Sequence, residues 1–214
     1  MQIAWVIVLA TRTDAKARVE TDFQSLDKSL MLQRFSTNLG YSVFVALAWV
    51  VLWHLNFFFF KAAEVAPLVS LVFLPAILRP IAVLIFGLPG AIGLILGAAV
   101  TLPTVAILSL PTVFIIFSNG LVALVVLVFL RQIPTYRFKL TYDMAGLTLG
   151  TIILFAGLTA LAQTLTNSLI ISLSPDLSSS SGLALFMLAG DAIGGFLMLY
   201  LMSILSPVVS KYLR

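Results

Sequence analysis

The sequence predicts an all-α integral membrane bundle of six transmembrane helices, preceded by an amphipathic cytoplasmic or interfacial helix. Three observations predict it. The 214 residues are 61% hydrophobic and only 9% charged, whereas soluble domains hold about 45–50% apolar and about 25% charged residues. The apolar residues gather into stretches close to the roughly 20 that a helix needs to cross about 30 Å of hydrocarbon. Threading those stretches with the amino terminus in the cytoplasm places ten of the twelve basic residues on one side, the bias that orients membrane proteins.

The chain opens with Met1 to Ala10, which are apolar, too short to cross a bilayer and not preceded by a basic stretch. They read as an interfacial anchor or a plain extension rather than a signal peptide. Residues Thr11 to Asn38 then carry five basic and four acidic side chains, with Val19, Phe23, Leu26 and Leu30 spaced by three or four. That spacing lays one apolar stripe along a helix and predicts a segment on the membrane surface or against a partner. Residues 1–38 thus form an amino-terminal segment and 39–214 the transmembrane domain.

Six spans are expected in that domain: Leu39–Phe60, Pro67–Gly87, Leu88–Leu108, Pro111–Leu130, Asp143–Thr166 and Gly182–Ser206. Gly87-Leu88-Pro89-Gly90 is a turn signal inside continuous apolar sequence and predicts a tight hairpin between the second and third. Arg12, Lys16, Arg18, Lys28 and Arg34 precede the first span, Arg131, Arg137 and Lys139 lie between the fourth and fifth, and Lys211 and Arg214 follow the sixth. All of these fall inside, and only Lys61 falls in an outer loop. The serine-rich connection from Thr166 to Ser181 has no basic residue. Merging the hairpin into one helix would export the Arg131–Lys139 loop, so six spans are preferred to five.

Composition also excludes several functions. Without cysteine there is no disulfide, thiolate metal site or cysteine nucleophile. His54 is the only histidine and makes no metal site by itself; with Asn56 and Phe57 to Phe60 it reads as an interfacial residue, or else as a pH sensor. The basic residues are scattered singly, which argues against nucleic acid as a partner. No nucleophile–base pair, clustered carboxylates or phosphate loop is present, so neither an enzyme nor a bound cofactor is expected.

An ionisable side chain at bilayer depth is costly and calls for an account. Arg79 comes twelve residues after Pro67 and Asp191 nine after Gly182, at depths of roughly 18 Å and roughly 13 Å in helices running the same way. An ion pair between the second and sixth spans is therefore predicted. It either locks the two helices, or leaves one member free for a charged ligand; in a third case the two never meet. Pro75 and Pro80 bracket Arg79 and predict a bent or opened helix beside a cavity. Glycine stripes at Gly90, Gly93 and Gly97, at Gly146, Gly150 and Gly157, and at Gly190, Gly194 and Gly195 predict close helix packing. Bare backbone at Gly190 and Gly194 beside Asp191 also has room for a ligand. Asn119, Thr159 and Gln163 are expected to bond between helices or to line the same pocket.

Three short motifs stand out from about Leu74 onward: Leu74-Pro75-Ala76, Phe86-Gly87 with Gly90-Ala91-Ile92-Gly93 to Gly97-Ala98, and Ala189-Gly190-Asp191-Ala192-Ile193-Gly194-Gly195. In them the chain resembles the membrane-associated sensor domains that precede cyclase and kinase modules in bacterial signalling proteins. Arg79 and the smaller number of spans depart from that family. Six spans with both ends inside are also similar to the substrate-capturing subunits of energy-coupling-factor vitamin transporters, which borrow ATP hydrolysis from partner chains. These resemblances imply a bacterial inner-membrane protein that senses or binds a ligand, in contact with lipid and with a protein partner in the membrane or at the cytoplasmic face. The alternatives are a transporter subunit or a non-catalytic accessory subunit of a larger membrane complex.

Overall fold

The protein is described from a computed structural model covering residues 2–66, 69–104, 109–134, 149–173 and 184–197. Residues 67–68, 105–108, 143–148, 182–183 and 198–206 of the expected spans, the basic residues Arg137, Lys139, Lys211 and Arg214, and Gly146 lie outside the described residues, as does half of the serine-rich connection. Two compact units, Met1–Gly40 and Tyr41–Arg214, divide the chain.

The described residues are almost wholly helical: α1 is Gln2–Phe60, α2 Leu78–Phe86, α3 Leu88–Thr101, α4 Leu110–Gln132, α5 Leu149–Ser172 and α6 Ala184–Leu197. The expected amphipathic segment and first span are both part of α1. The first proline of the chain is Pro67, and the single glycine at Gly40 costs a helix only about 1 kcal/mol, so nothing there stops helical growth. In the first unit Met31, Leu32, Phe35 and Leu39 are exposed.

In the second unit α1 buries Ser42, Val45, Trp49 and Leu52, a spacing of three and four that marks one helix face. Opposite them on α3, a Cβ added to Gly93 would strike Ser42 and Val45, and one on Gly97 would strike the Trp49 ring. Small residues here let two helices approach closely. Ser42 Oγ donates to the Pro89 carbonyl at 2.9 Å and Trp49 Nε1 donates to Thr101 Oγ1 at 3.0 Å. Gly120 of α4 seats against the Ala91 backbone of α3 in the same way. The packed centre contains Leu94, Ala98, Ala123, Leu127 and Phe155.

Polarity is inverted relative to a soluble domain. Thr112, Ser118, Asn119, Thr159, Gln163 and Asn167 are buried, while Phe58, Leu110, Val125 and Leu165 are exposed. Ser118, Gln163 and Asn167 bond to one another inside and apolar side chains face outward, as lipid requires. Three helical segments, Met31–Phe60, Leu110–Gln132 and Gly150–Ser172, are long and apolar enough to cross a bilayer, in keeping with a membrane protein.

The second and third expected spans differ most from expectation. Where a span was predicted from Pro67, a 3₁₀ turn at Lys61–Ala63 leads into a short antiparallel ladder, Glu64–Ala66 against Val69–Ser70. Helical structure resumes only with a 3₁₀ turn at Leu74–Ile77 and then α2. Pro67 biases the residue before it toward extended backbone. Ser70 Oγ also bonds the Val72 carbonyl at 2.9 Å and accepts from the Val72 N–H at 3.3 Å, giving the backbone a local alternative to a helix. Pro75 and Pro80 therefore do not kink a long helix. Each occupies a first turn, Pro75 in the 3₁₀ turn and Pro80 in α2, where the missing N–H has no helical acceptor to lose.

The hairpin is present. Gly87 alone separates α2 from α3, with φ 61° and ψ −128°, a conformation that glycine adopts without a Cβ penalty, and Gly90 abuts the Ala82 carbonyl. At 9 and 14 residues, α2 and α3 are about 13 Å and about 21 Å long, short of the roughly 30 Å of a full crossing. α5 runs to Ser172 instead of ending at Thr166. Asn167, which reads as a loop residue, is buried in hydrogen bonds to Ser118 and Gln163.

Among the described residues Gly150 and Gly157 have open space where a Cβ would stand, so the expected close approach on α5 is not made there by any of them. Gly157→Ala should consequently raise stability by about 0.5–1 kcal/mol through helix propensity alone. Thermal unfolding in detergent would register this as a higher midpoint.

Candidate functional site

Three elements meet around Arg79. It lies in the first turn of α2, carried there by the non-helical segment from Leu71 to Phe73, in which Phe73 is extended. That segment is anchored from both sides: the Leu74 N–H donates to Asn56 Oδ1 of α1 at 2.8 Å, and the Phe73 N–H donates to the Gly190 carbonyl of α6 at 3.1 Å. Backbone N–H groups that leave a helix away from water need protein acceptors, and these bonds supply them for Phe73 and Leu74. A Cβ at Gly190 would collide with the Ser70 carbonyl, and one at Gly194 with that of Phe73. The two glycines thus hold backbone against backbone.

This packing brings Arg79 and Asp191 together. Arg79 Nη1 donates to Asp191 Oδ2 at 2.9 Å, with only 5% and 9% of the two side chains exposed. Arg79 Nε donates to Asn119 Oδ1 of α4 at 3.0 Å, and Asn119 Nδ2 donates to the Ile115 carbonyl at 2.8 Å. The guanidinium also lies over the rings of Phe73 and Trp49, 5.1 Å and 5.7 Å from their centroids. Trp53 and Trp49 each meet Phe73 edge to face. The cation is therefore held by a carboxylate, an amide oxygen and two aromatic faces, interactions that gain strength where water is excluded. One Asp191 oxygen and one guanidinium nitrogen, Nη2, have no hydrogen-bond partner among the described residues.

A cavity of about 90 Å³ opens against this cluster. One face of α1 supplies Trp49, Trp53, Asn56, Phe57 and Phe60; Arg79, Asn119 and Asp191 form its charged side, and Thr164 and Asn167 of α5 face them. Lys61 also lines it, with Nζ 5.0 Å from the centre of the Phe57 ring. A smaller space of about 30 Å³ touches Arg79, Pro80, Thr159 and Asp191.

Of the residues expected in the pocket, Asn119 lines the larger cavity and Pro80 the smaller. Pro75, Gly190, Gly194 and Gln163 line neither. Pro75 is buried at the 3₁₀ turn, the glycines are occupied by backbone contact, and Gln163 donates through Nε2 to Ser118 at 2.8 Å and to Asn167 at 3.0 Å. His54 is exposed, its Nδ1–H directed to the Val50 carbonyl at 2.7 Å, an intrahelical bond away from the cavity lining. Asn56, Thr164, Asn167 and the aromatic wall were not foreseen as site residues. A signal for the wall exists in the sequence: Trp49, Trp53, Asn56 and Phe60 recur at intervals of four, three and four, one helical face. Asn167 follows Gln163 by four for the same reason.

Among the described residues no group of His, Cys, Asp and Glu is placed to hold a metal ion. Replacing Asn119 by leucine would leave the Arg79 Nε–H unpaired in a buried site. Hydrogen bonds to charged groups contribute about 1.5–3 kcal/mol, so Asn119→Leu is expected to lower stability by that amount, read from the thermal midpoint in detergent. Comparison with known protein families, with curated proteins and with solved structures finds no match to this chain.

Proposed function

We propose that the chain is a non-catalytic, ligand-binding protein of the bacterial inner membrane, with both ends cytoplasmic, which holds a small molecule beside Arg79 and Asp191 and signals occupancy to a partner protein. The observation that carries this reading is the cavity itself. An ion pair that only joins two helices needs no space beside it, and a donor or acceptor left unmet away from water costs free energy until something bonds it. Here the pair borders open space on a wall of tryptophan and phenylalanine. Apolar walls with a few convergent polar groups are the usual composition of a small-molecule site.

The site also has a route for response. Asp191 and Gly190 both tie α6 to the segment that carries Arg79, so a ligand that competes for either member of the pair alters how α6 is held. Differential affinity for two such arrangements is all that a sensor requires. Six spans stay part of the proposal as one of the even numbers of crossings that the charge distribution favours over an odd one.

Native purification in mild detergent, with mass spectrometry of bound small molecules, tests the reading. A stoichiometric small molecule in the wild type that is absent from Arg79→Gln supports it. Preparations equally empty, or equally loaded with lipid alone, count against it. The co-purifying partner sorts the alternatives: a cyclase or kinase favours sensing, an ATPase favours substrate capture, and a large membrane assembly favours an accessory role.

A further inference from the structure

The polar atoms facing the larger cavity are unequal in kind, and the imbalance names a ligand class. Asn56 has Oδ1 occupied by the Leu74 N–H. A backbone N–H bonds only an acceptor, so the amide is fixed with Nδ2 as its remaining group. Asn167, 7% exposed, has Oδ1 occupied by Gln163 Nε2 and Ser118 Oγ, leaving Nδ2 again. Arg79 keeps Nη2, and Lys61 contributes an ammonium group. Against these four donors stand one carboxylate oxygen of Asp191 and the hydroxyl of Thr164, whose Oγ1 is buried with no hydrogen-bond partner among the described residues; the Ser70 hydroxyl and the Asn119 amide, also in the lining, are engaged with Val72 and with Arg79 and Ile115. Among the described residues of the lining, Lys61, Arg79 and Asp191 are the charged ones, and their formal charges sum to +1.

From this excess of donors we infer that the cavity binds a small monocarboxylate with an apolar body, an inference that rests on the ligand-binding reading above. A monoanion balances the formal charge of the lining, and its two oxygens offer acceptor sites to the amide, guanidinium and ammonium donors. A cationic ligand is disfavoured because the aromatic faces of Trp49 and Phe73 already hold the guanidinium. A bare inorganic anion would lose its hydration against walls that are mainly apolar. Size limits the body: an apolar cavity of about 150 Å³ accepts benzene, and this one is about 90 Å³, suited to about four carbons. The same chemistry arises from a soluble short-chain acid or from the head of a fatty acid in the bilayer.

The full chain in detergent micelles is titrated with sodium butyrate, butyramide and butylammonium chloride at constant ionic strength, following the fluorescence of Trp49 and Trp53. The expected result is saturable binding of butyrate at one per chain, at least tenfold tighter than butyramide, with no saturation by butylammonium. Lys61→Gln, a change at an exposed residue, is expected to weaken butyrate several-fold and leave butyramide unchanged. A parallel titration with palmitate separates the sources: tighter binding than butyrate places the acid in the bilayer, weaker binding in solution, and either supports the class. Butyramide or butylammonium binding as tightly as both acids overturns the carboxylate assignment while the ligand-binding reading stands. If no compound saturates, the assignment also fails, and the mass spectrometry above then decides the broader reading on its own.

Discussion

Asp191→Leu is expected to destabilise the protein by about 3–5 kcal/mol, and Arg79→Leu by a similar amount, whereas the double replacement is expected to cost less than either single change. Removing one partner of a buried ion pair strands the other charge in a medium that solvates it poorly, while removing both leaves no charge to solvate. Asp191 has only Arg79 as a hydrogen-bond partner among the described side chains, so Arg79→Leu leaves the carboxylate bare. Arg79 retains Asn119 and two aromatic rings when Asp191 is removed, which makes Asp191→Leu the milder of the two singles. Unfolding in detergent of the wild type, both singles and the double closes the cycle. A double variant that costs the sum of the two singles would show that the 2.9 Å contact couples nothing.

The ion pair was legible in the sequence for a reason that survives and by a count that does not. Arg79 and Asp191 stand out because ionisable groups are rare in apolar segments. Their matching depths were reckoned from helices starting at Pro67 and Gly182, yet helical structure before Arg79 begins only at Leu74. What places the two residues side by side is the non-helical Leu71–Phe73 segment bonded to Gly190, and a count along ideal helices contains no such element. Span number was hard to read for a related reason. Charge bias orients a hairpin by what flanks it, and Gly87-Leu88-Pro89-Gly90 carries no charge. A pair of helices that crosses twice and a pair that enters and leaves on one side give the same tally of basic residues. Only the lengths of α2 and α3 distinguish them.

Donors inside the cavity were less legible still. Asn56 and Asn167 stand near the ends of apolar stretches, where an asparagine reads as an interfacial or loop residue. Their significance lies in which atom remains after the protein's own hydrogen bonds are made, and that is a tertiary property. Asn119 was visible because it interrupts an apolar run in mid-span, yet its role is to hold the Arg79 guanidinium, a contact 40 residues away in sequence.

The glycines of α6 provide the second large effect. Gly190→Ala is expected to destabilise by about 1–3 kcal/mol, the usual range for forcing a group into a filled site, with loss of the Phe73 N–H bond in addition. A methyl group at 190 meets the Ser70 carbonyl, and one at 194 meets the Phe73 backbone, neither of which is the movable end of a side chain. Relief requires α6 to withdraw from the non-helical segment, which lengthens the Arg79–Asp191 contact. Gly194→Ala is accordingly expected to behave like Gly190→Ala. Gly195→Ala, with nothing within 4 Å of its new Cβ, is expected to stay within about 0.5 kcal/mol of wild type, as open positions do. A combined Gly190→Ala, Asp191→Leu variant separates packing from charge: if withdrawal of α6 already weakens the ion pair, its cost falls short of the sum of the two singles, since residues that share one contact do not add. Thermal midpoints that rank 190, 194 and 195 alike would mean that helix propensity, and not contact with the 70–73 backbone, governs all three positions.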